Sequence, residues 1–436
     1  MSWRSDAHCL GGSAINYDLV VKNGRVYTKE GLNSIDIWIK NGKFASFGGS
    51  HQAEEKIDAH GMLILPGSID AHVHFRDPGP TFKEDWESGS VSAAAGGVTG
   101  VIDQPNTDPR TLDAKSFEIK LDRAKHRSVV DFCINGGPGN IDELVASGAT
   151  AIGEIFSYEH SDAQLQKIFE EVRKAGKFPT IHGEDGEIIN QELEAWKYLH
   201  DPGVYSKARP SRAEAVAIEK ALIWSESLHI CHLSTLQGLR LVKDAKKRGK
   251  KVTCEVSPHH LLFNVNDYQE QGSFLKINPP LRSPKDCSAL WTGLREGSID
   301  ILASDHAPHL PEEKKDDIWE APPGVPGVET LLPLMLMAVR RNLLSLERLV
   351  DAVSTKPASI FGLNSKGSIE AGKDADLIIV DTKRISQINA DQLHSRADWT
   401  PYQGKEAIFP QVTLIRGQVV YDGDLEVRPG YGIFLG

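Results

Sequence analysis

Between about residue 70 and residue 362 the chain alternates short apolar runs with amphipathic helical stretches, and no other feature restricts the fold as much. Seven runs read as strands, at 97–103, 129–134, 150–156, 178–182, 228–232, 251–256 and 299–305. They are short, apolar and bounded by turn residues, as buried parallel strands are. Another precedes them, in which Ile64, Leu65, Ile69 and Val73 form one short apolar strand entered through Pro66-Gly67. Segments such as DAQLQKIFEEVRKAG and RAEAVAIEKALIWSES lie between the strands and carry helical periodicity. Strand followed by helix, eight times over, predicts an α/β fold built on a (β/α)8 barrel across residues 66–362.

The flanks have a different texture. Residues 17–57 alternate β-like runs with turns, and Asn23-Gly24 and Asn41-Gly42 are hairpin signals. Similar runs return in SIEAGKDADLIIVD (368–381) and VTLIRGQVVYDG (412–423). The expected arrangement is a small β-sandwich-like domain assembled from both termini, residues 17–65 and 363–436, with the barrel between them. Residues 1–16 are polar and small with no signal-peptide core, and disorder is the default expectation for such a terminus.

Charge and composition exclude some functions. A net charge of −11 with no basic run argues against a nucleic-acid partner. No apolar stretch reaches the roughly 18 residues of a membrane span. Five scattered cysteines suit a reducing, cytoplasmic compartment rather than a disulfide framework.

The residues with metal chemistry fall at the ends of the expected strands. His72 and His74 end the first, in GSIDAHVHFRDPGP (67–80). Residues i and i+2 of a strand face the same side, so the two imidazoles project together as half of a metal site. Glu154 lies near the end of the fourth strand, His182 ends the fifth, His232 the sixth and Asp305 the eighth. Barrel active sites form at this C-terminal rim. Arg76, just past the histidine pair, has the planar fork that pairs with a carboxylate.

These motifs together resemble the dihydroorotases of the cyclic amidohydrolase superfamily, from about Asp18 to the end of the chain. The resemblance is carried by DAHVHFRDPG with KED (83–85), AAAGGVTGVIDQPNTDP (93–109), IHGED, HLST, EVSPHHL, INPPLR (277–282), SDHAPH and GSIEAGKDADLIIVD. The histidine and aspartate pattern is shared with hydantoinases and allantoinases, whereas FRDPG, PNT and NPPLR are specific to dihydroorotases. The resemblance implies zinc, two ions per chain, one on His72, His74 and Asp305 and the other on His182 and His232. It implies that Arg76, Asn106, Asn278 and His309 grip dihydroorotate. It also implies that Asp305 takes a proton from the attacking water and passes it to the leaving amide nitrogen. From the residues alone, Asn106 and Asn278 could equally be turn residues and His309 a loop histidine. His259 and His260 are expected to be supporting residues. The implied partner is a small-molecule substrate; a second copy of the chain, or another enzyme of the pyrimidine pathway, would suit such a protein.

The chain departs from the family pattern at one position. Many relatives carry a carboxylated lysine on the fourth strand, but residues 148–158 contain no lysine and the aligned residue is Glu154. The expectation is that this carboxylate bridges the two metals in its place, with no carbamate. Because glutamate is the shorter side chain, bridging requires the strand or the metals to sit closer. The alternatives are a Glu154 outside the ligand set, a hydantoinase- or allantoinase-like hydrolase, or a silent homologue serving as a scaffold.

Overall fold

The structure is a computed structural model and describes residues 4–6 and 16–436. The expectation of disorder for residues 1–16 falls largely outside the described residues, as does Cys9; within it, Arg4–Asp6 pairs antiparallel with Glu55, Lys56 and Ile57.

Eight parallel strands form the barrel. They are β1 (Ser68–Val73), β2 (Val98–Asp103), β3 (Asp131–Ile134), β4 (Ile152–Phe156), β5 (Pro179–His182), β6 (Ser227–Ile230), β7 (Lys251–Val256) and β8 (Ile301–Leu302). β1–β2–β3 and β4 through β8 are continuous ladders. The Gly136↔Ile152 bridge joins β3 to β4, and Val73↔His306 joins β1 to the segment after β8, so the ring closes. β1 is buried along its whole length, which is why it reads as an apolar run rather than an alternating one. The helices pack outside and are capped by their own sequence. Asp85, Ser161 and Ser283 each accept a backbone N–H at the start of a helix, and each helix returns a side-chain contact to its cap.

Two expectations about strands are corrected. The run from Ile64 to Val73 is not one strand. Leu63–Pro66 pairs with Arg25–Thr28 and Leu377–Val380 in the small unit, and the chain enters the barrel only at Ser68. Gly67 makes the crossing because any Cβ there would collide with the Thr99 side chain. Asn23-Gly24 is not a hairpin turn either. The strands on its two sides, Asn16–Lys22 and Arg25–Thr28, belong to different sheets. Asn41-Gly42 does close a two-residue hairpin, with both residues at positive φ and Lys40 opposite Lys43, as the tight primed turn requires.

The small unit is a sandwich of a five-stranded and a six-stranded sheet, the second mixing strands from both chain ends. Leu19, Val21, Ile37, Ile39 and Phe44 meet Leu377, Ile379, Val412 and Leu414 in one core. The final residues leave it: Ile433 and Leu435 hydrogen-bond with Phe132 of β3. Among the described residues no helix is long and apolar enough to cross a membrane.

Candidate metal centre

The barrel rim brings the expected residues together by several local devices. His72 lies on β1 and His74 one step past its end, with ring centroids 5.1 Å apart. His182 is the last residue of β5, while His232 and Asp305 follow β6 and β8 on the connecting loops. Arg76, His232 and Asp305 all have positive φ, at 59°, 30° and 50°. A non-glycine residue in that region costs about 1 kcal/mol or more, and such residues cluster where a side chain must be aimed. Glu154 arrives differently. The β4–β5 register slips between Ile152 and Ile155, and Gly153 has φ +146° at the slip. A Cβ on Gly153 would run into Thr180, so only glycine lets β4 come this close to β5. The irregularity carries the Glu154 side chain inward, as bulges beside active sites do.

The Glu154 carboxylate lies between the four histidines. Oε1 is 2.5 Å from His232 Nε2 and 3.2 Å from His182 Nδ1. Oε2 is 3.4 Å from His72 Nε2 and 3.9 Å from His74 Nε2. Asp305 Oδ1 is 3.3 Å from His74 Nε2 and 3.7 Å from His72 Nε2. Two compact donor groups result: His72, His74 and Asp305, and His72, Glu154 and His232. The buried Nε2 of His72 has no hydrogen-bond partner among the described residues. Two donors each about 2.0–2.1 Å from a tetrahedral zinc sit about 3.3 Å apart. The His72–Glu154 and His74–Asp305 separations match that spacing and are too long for good hydrogen bonds, so these residues fit a divalent ion, whereas His232 Nε2 and Glu154 Oε1 at 2.5 Å are hydrogen-bonded and would have to part to share one. A third group, His72, Cys231 and Glu255, lies on the other side of the His72 ring. There Glu255 already takes the Nδ1 proton, and burial pushes the Cys231 thiol up, which keeps it neutral.

Three histidines are oriented through the nitrogen that faces away from the centre. His72 Nδ1 donates to Glu255 Oε1 at 2.5 Å, His74 Nδ1 to Asn106 Oδ1 at 2.7 Å, and His182 Nε2 to Glu184 Oε2 at 2.7 Å. Each bond orients its ring and, in the neutral form that a metal requires, leaves the other nitrogen's lone pair facing Glu154 or Asp305. Arg209 anchors Glu184 in turn, its Nε at 3.1 Å. Glu255 also accepts the His232 backbone N–H at 3.1 Å and reaches His229 Nε2 at 3.1 Å. Burial works against charge on Glu154 and Asp305, but the surrounding imidazoles outweigh it and hold both carboxyls well below the usual range. Burial likewise opposes charge on His72, yet Glu255 and Glu154 raise it well above the usual imidazole value. His74 goes down, chiefly through burial.

The four residues expected to bind substrate line the same cavity, of about 280 Å³, together with His74, Glu154, His182, His232 and Asp305. Arg76 is half-buried, and among the described residues its buried Nε has no hydrogen-bond partner and no carboxylate forms an ion pair with it. Burial lowers its pKa, outweighing the more distant charges of Asp305, Asp103, Glu313 and Glu84. Asn106 uses its carbonyl oxygen on His74, and Asn278 accepts the Tyr205 hydroxyl at 2.6 Å. Each amide therefore has only its NH₂ donors left for a ligand. His309 lies against Arg76, Lys83 and the Pro323 carbonyl. A larger cavity of about 650 Å³, along the helices Asp162–Lys174 and Ser211–Trp224, contains none of the four histidines of the centre, so size does not mark the site. His259 is fully buried with its Nε2 3.9 Å from Asp305 Oδ2, and His260 donates to Pro279 O at 3.0 Å; neither joins a donor group.

Sequence reasoning did not single out Glu184, Glu255, Tyr205 or Lys83. Glu255 and Glu184 had a usable signal, since both are acids at strand ends inside the quoted motifs. Tyr205 lies in the short helix Val204–Ala208, with no pattern around it.

The chain matches the model of the amidohydrolase family over residues 63–420. It is 46% identical to a protein named dihydroorotase from Methanosarcina acetivorans, covering 96% of this chain and 95% of that one. It is 42% identical to a dihydroorotase from Halobacterium salinarum, covering 93% and 96%. Its backbone superposes on the structure of an L-hydantoinase (dihydropyrimidinase) from Arthrobacter aurescens with a TM-score of 0.92, at 34% identity and over 96% and 99% of the two chains. By the span of the family match and the level of these identities, the chain belongs to the amidohydrolase family.

Proposed function

We propose that this protein is a zinc-dependent dihydroorotase that interconverts (S)-dihydroorotate and N-carbamoyl-L-aspartate in pyrimidine synthesis. The observation that carries the reading is Arg76, a half-buried guanidinium that forms no ion pair among the described residues, facing the same cavity as the metal-competent cluster. A neutral cyclic amide would leave that charge unmatched, whereas a ring bearing a carboxylate pairs with it bidentately. The dihydroorotase relatives support the same choice.

In this reading His72, His74 and Asp305 would hold one zinc and His182 and His232 another, with Glu154 as a ligand in place of a carbamate. Bound there, divalent metal supplies a nucleophilic water at neutral pH and withdraws charge from the amide carbonyl. The protein's own groups do the rest. Arg76 takes the substrate carboxylate, and the NH₂ groups of Asn106 and Asn278 donate to substrate oxygens. His309 completes the ring of polar contacts. Asp305, ionised at the start, accepts the proton of the attacking water and delivers it to the ring nitrogen as the amide C–N bond breaks. The carbonyl carbon keeps the oxygen and becomes the new carboxylate; closing the ring reverses each transfer. The matching division of the chain is a barrel domain over 68–362 and a β domain from 17–66 and 363–436, with Gly67 at the crossing.

Parallel measurement of kcat/KM for dihydroorotate, hydantoin and allantoin tests the assignment. A preference of at least 100-fold for dihydroorotate is expected. A preference for hydantoin would give Arg76 another role and make the protein a hydantoinase.

A further inference from the structure

Lys83 lies in the turn after β1, its side chain 12% exposed. Its Nζ is 2.6 Å from Glu313 Oε1 and 3.1 Å from Nδ1 of His309. An ammonium group only donates, so Nδ1 of His309 must be the acceptor and carry no proton. The ring proton therefore sits on Nε2, which lies 3.1 Å from the Pro323 carbonyl. This is the only neutral tautomer that satisfies both contacts. The loop offering Pro323 is itself pinned, because Lys314 Nζ donates to Pro322 O, Gly324 O and Lys276 O at 2.9, 3.1 and 2.9 Å. Arg76 Nη2 is 3.3 Å from the same His309 Nε2. With Nε2 protonated, two donors face each other there. They cannot bond to each other, but an acceptor oxygen entering from the cavity that both residues line can take the Arg76 donor and share the Nε2 proton with the Pro323 carbonyl.

We propose that Lys83 is a positioning and specificity residue: its bond to Nδ1 fixes His309 as an Nε2–H donor beside Arg76, and its charge makes the end of the cavity selective for a carboxylate. Lys83 acts through His309 without touching the substrate. Two cations flank a neutral imidazole, so an anionic oxygen gains a charged donor from Arg76, a neutral donor from His309 and the field of Lys83 behind it. A neutral ring lacks the oxygen that would use them. Glu313 pairs with Lys83 and its other oxygen lies 3.9 Å from His309 Nδ1, so it offsets part of the Lys83 charge.

This inference deepens the dihydroorotase reading and rests on it for the identity of the carboxylated ring, so the test separates the two. Lys83→Met removes both donor and charge, whereas Lys83→Gln keeps a donor for Nδ1 without the charge. Metal content and melting temperature are measured for both. Calorimetry with orotate and with uracil, which lacks the carboxylate, reads anion selectivity without requiring turnover. Expected for Lys83→Met are at least 10-fold weaker orotate binding, uracil binding within 3-fold of the parent, and a KM for dihydroorotate raised at least 10-fold with kcat changed less than 3-fold. Lys83→Gln should fall between Met and the parent. Orotate binding as tight as the parent's in both variants, or equal losses for orotate and uracil, would overturn the role of Lys83. A parent that binds orotate more tightly than uracil but does not turn over dihydroorotate would overturn the reading of the site and leave the Lys83 effect measurable.

Discussion

Oε1 of Glu154 lies 2.5 Å from Nε2 of His232, while the other oxygen of the same carboxylate faces His72 at 3.4 Å. One carboxylate from β4 thus reaches both halves of a histidine cluster supplied by three other strands. The register slip at Gly153 makes this reach possible with a side chain shorter than a carboxylated lysine. A single negative charge in that position would offset the repulsion between two dications if both bind there.

If Glu154 has this role, Glu154→Ala should bind about one metal per chain where the parent binds two, with activity down at least 100-fold. Glu154→Gln keeps an oxygen donor but not the charge, and should lie between them. Elemental analysis of the purified variants decides. Unchanged metal content in Glu154→Ala would put the carboxylate outside the ligand set.

His72→Ala and His74→Ala should each lose metal and most activity together, because each removes one donor of the His72–His74–Asp305 group. A strong chelator should reproduce the loss in the parent. Full activity in a variant verified to be metal-free would contradict a metal-assisted hydrolysis.

Arg76→Lys retains the charge but not the two-pronged geometry, so KM for dihydroorotate should rise at least 10-fold with metal content unchanged. Asp305→Asn should act differently and lower kcat by about 10²–10⁴, the range for loss of a general acid–base group, since an amide cannot carry the proton. Steady-state kinetics on both variants separate binding from proton transfer.

The parts of this site that local pattern could reveal were those determined by one strand at a time. His72 and His74 share a face because a strand repeats every two residues, so their pairing follows from spacing alone. The Asn-Gly pairs show where this stops. Both encode a turn, but only at Asn41-Gly42 do the adjoining strands lie in the same sheet. The break at Gly67 was hidden for the same reason: Leu63–Pro66 and Ser68–Val73 are both fully buried, so hydrophobicity does not change where the chain passes from one unit to the other. Glu255 depends on partners 183 and 23 residues away, His72 and His232, and no window of sequence contains them.

Glu184 offers a pH test. It is fully buried between His182 and Arg209. Burial disfavours its charge, but Arg209 and then His182 hold its pKa below the ordinary glutamate value. A carboxyl with a depressed folded-state pKa contributes stability above its unfolded pKa, about 4.3, and that contribution is lost as pH falls towards the folded value. Glu184→Gln should therefore cost about 3–5 kcal/mol near pH 7, the range for breaking a buried pair, and less below about pH 4. Melting temperatures of the two proteins across this range check the sign. A gap that widens in acid would contradict the assignment.

The most direct measurement removes metal from the parent protein and reloads it with zinc in buffer purged of carbon dioxide. If Glu154 takes the place of a carbamate, dihydroorotate turnover should vanish on removal and return in full with two zinc ions per chain, and added bicarbonate should change nothing. Turnover by the metal-free protein, or recovery that waits on bicarbonate, would contradict the account.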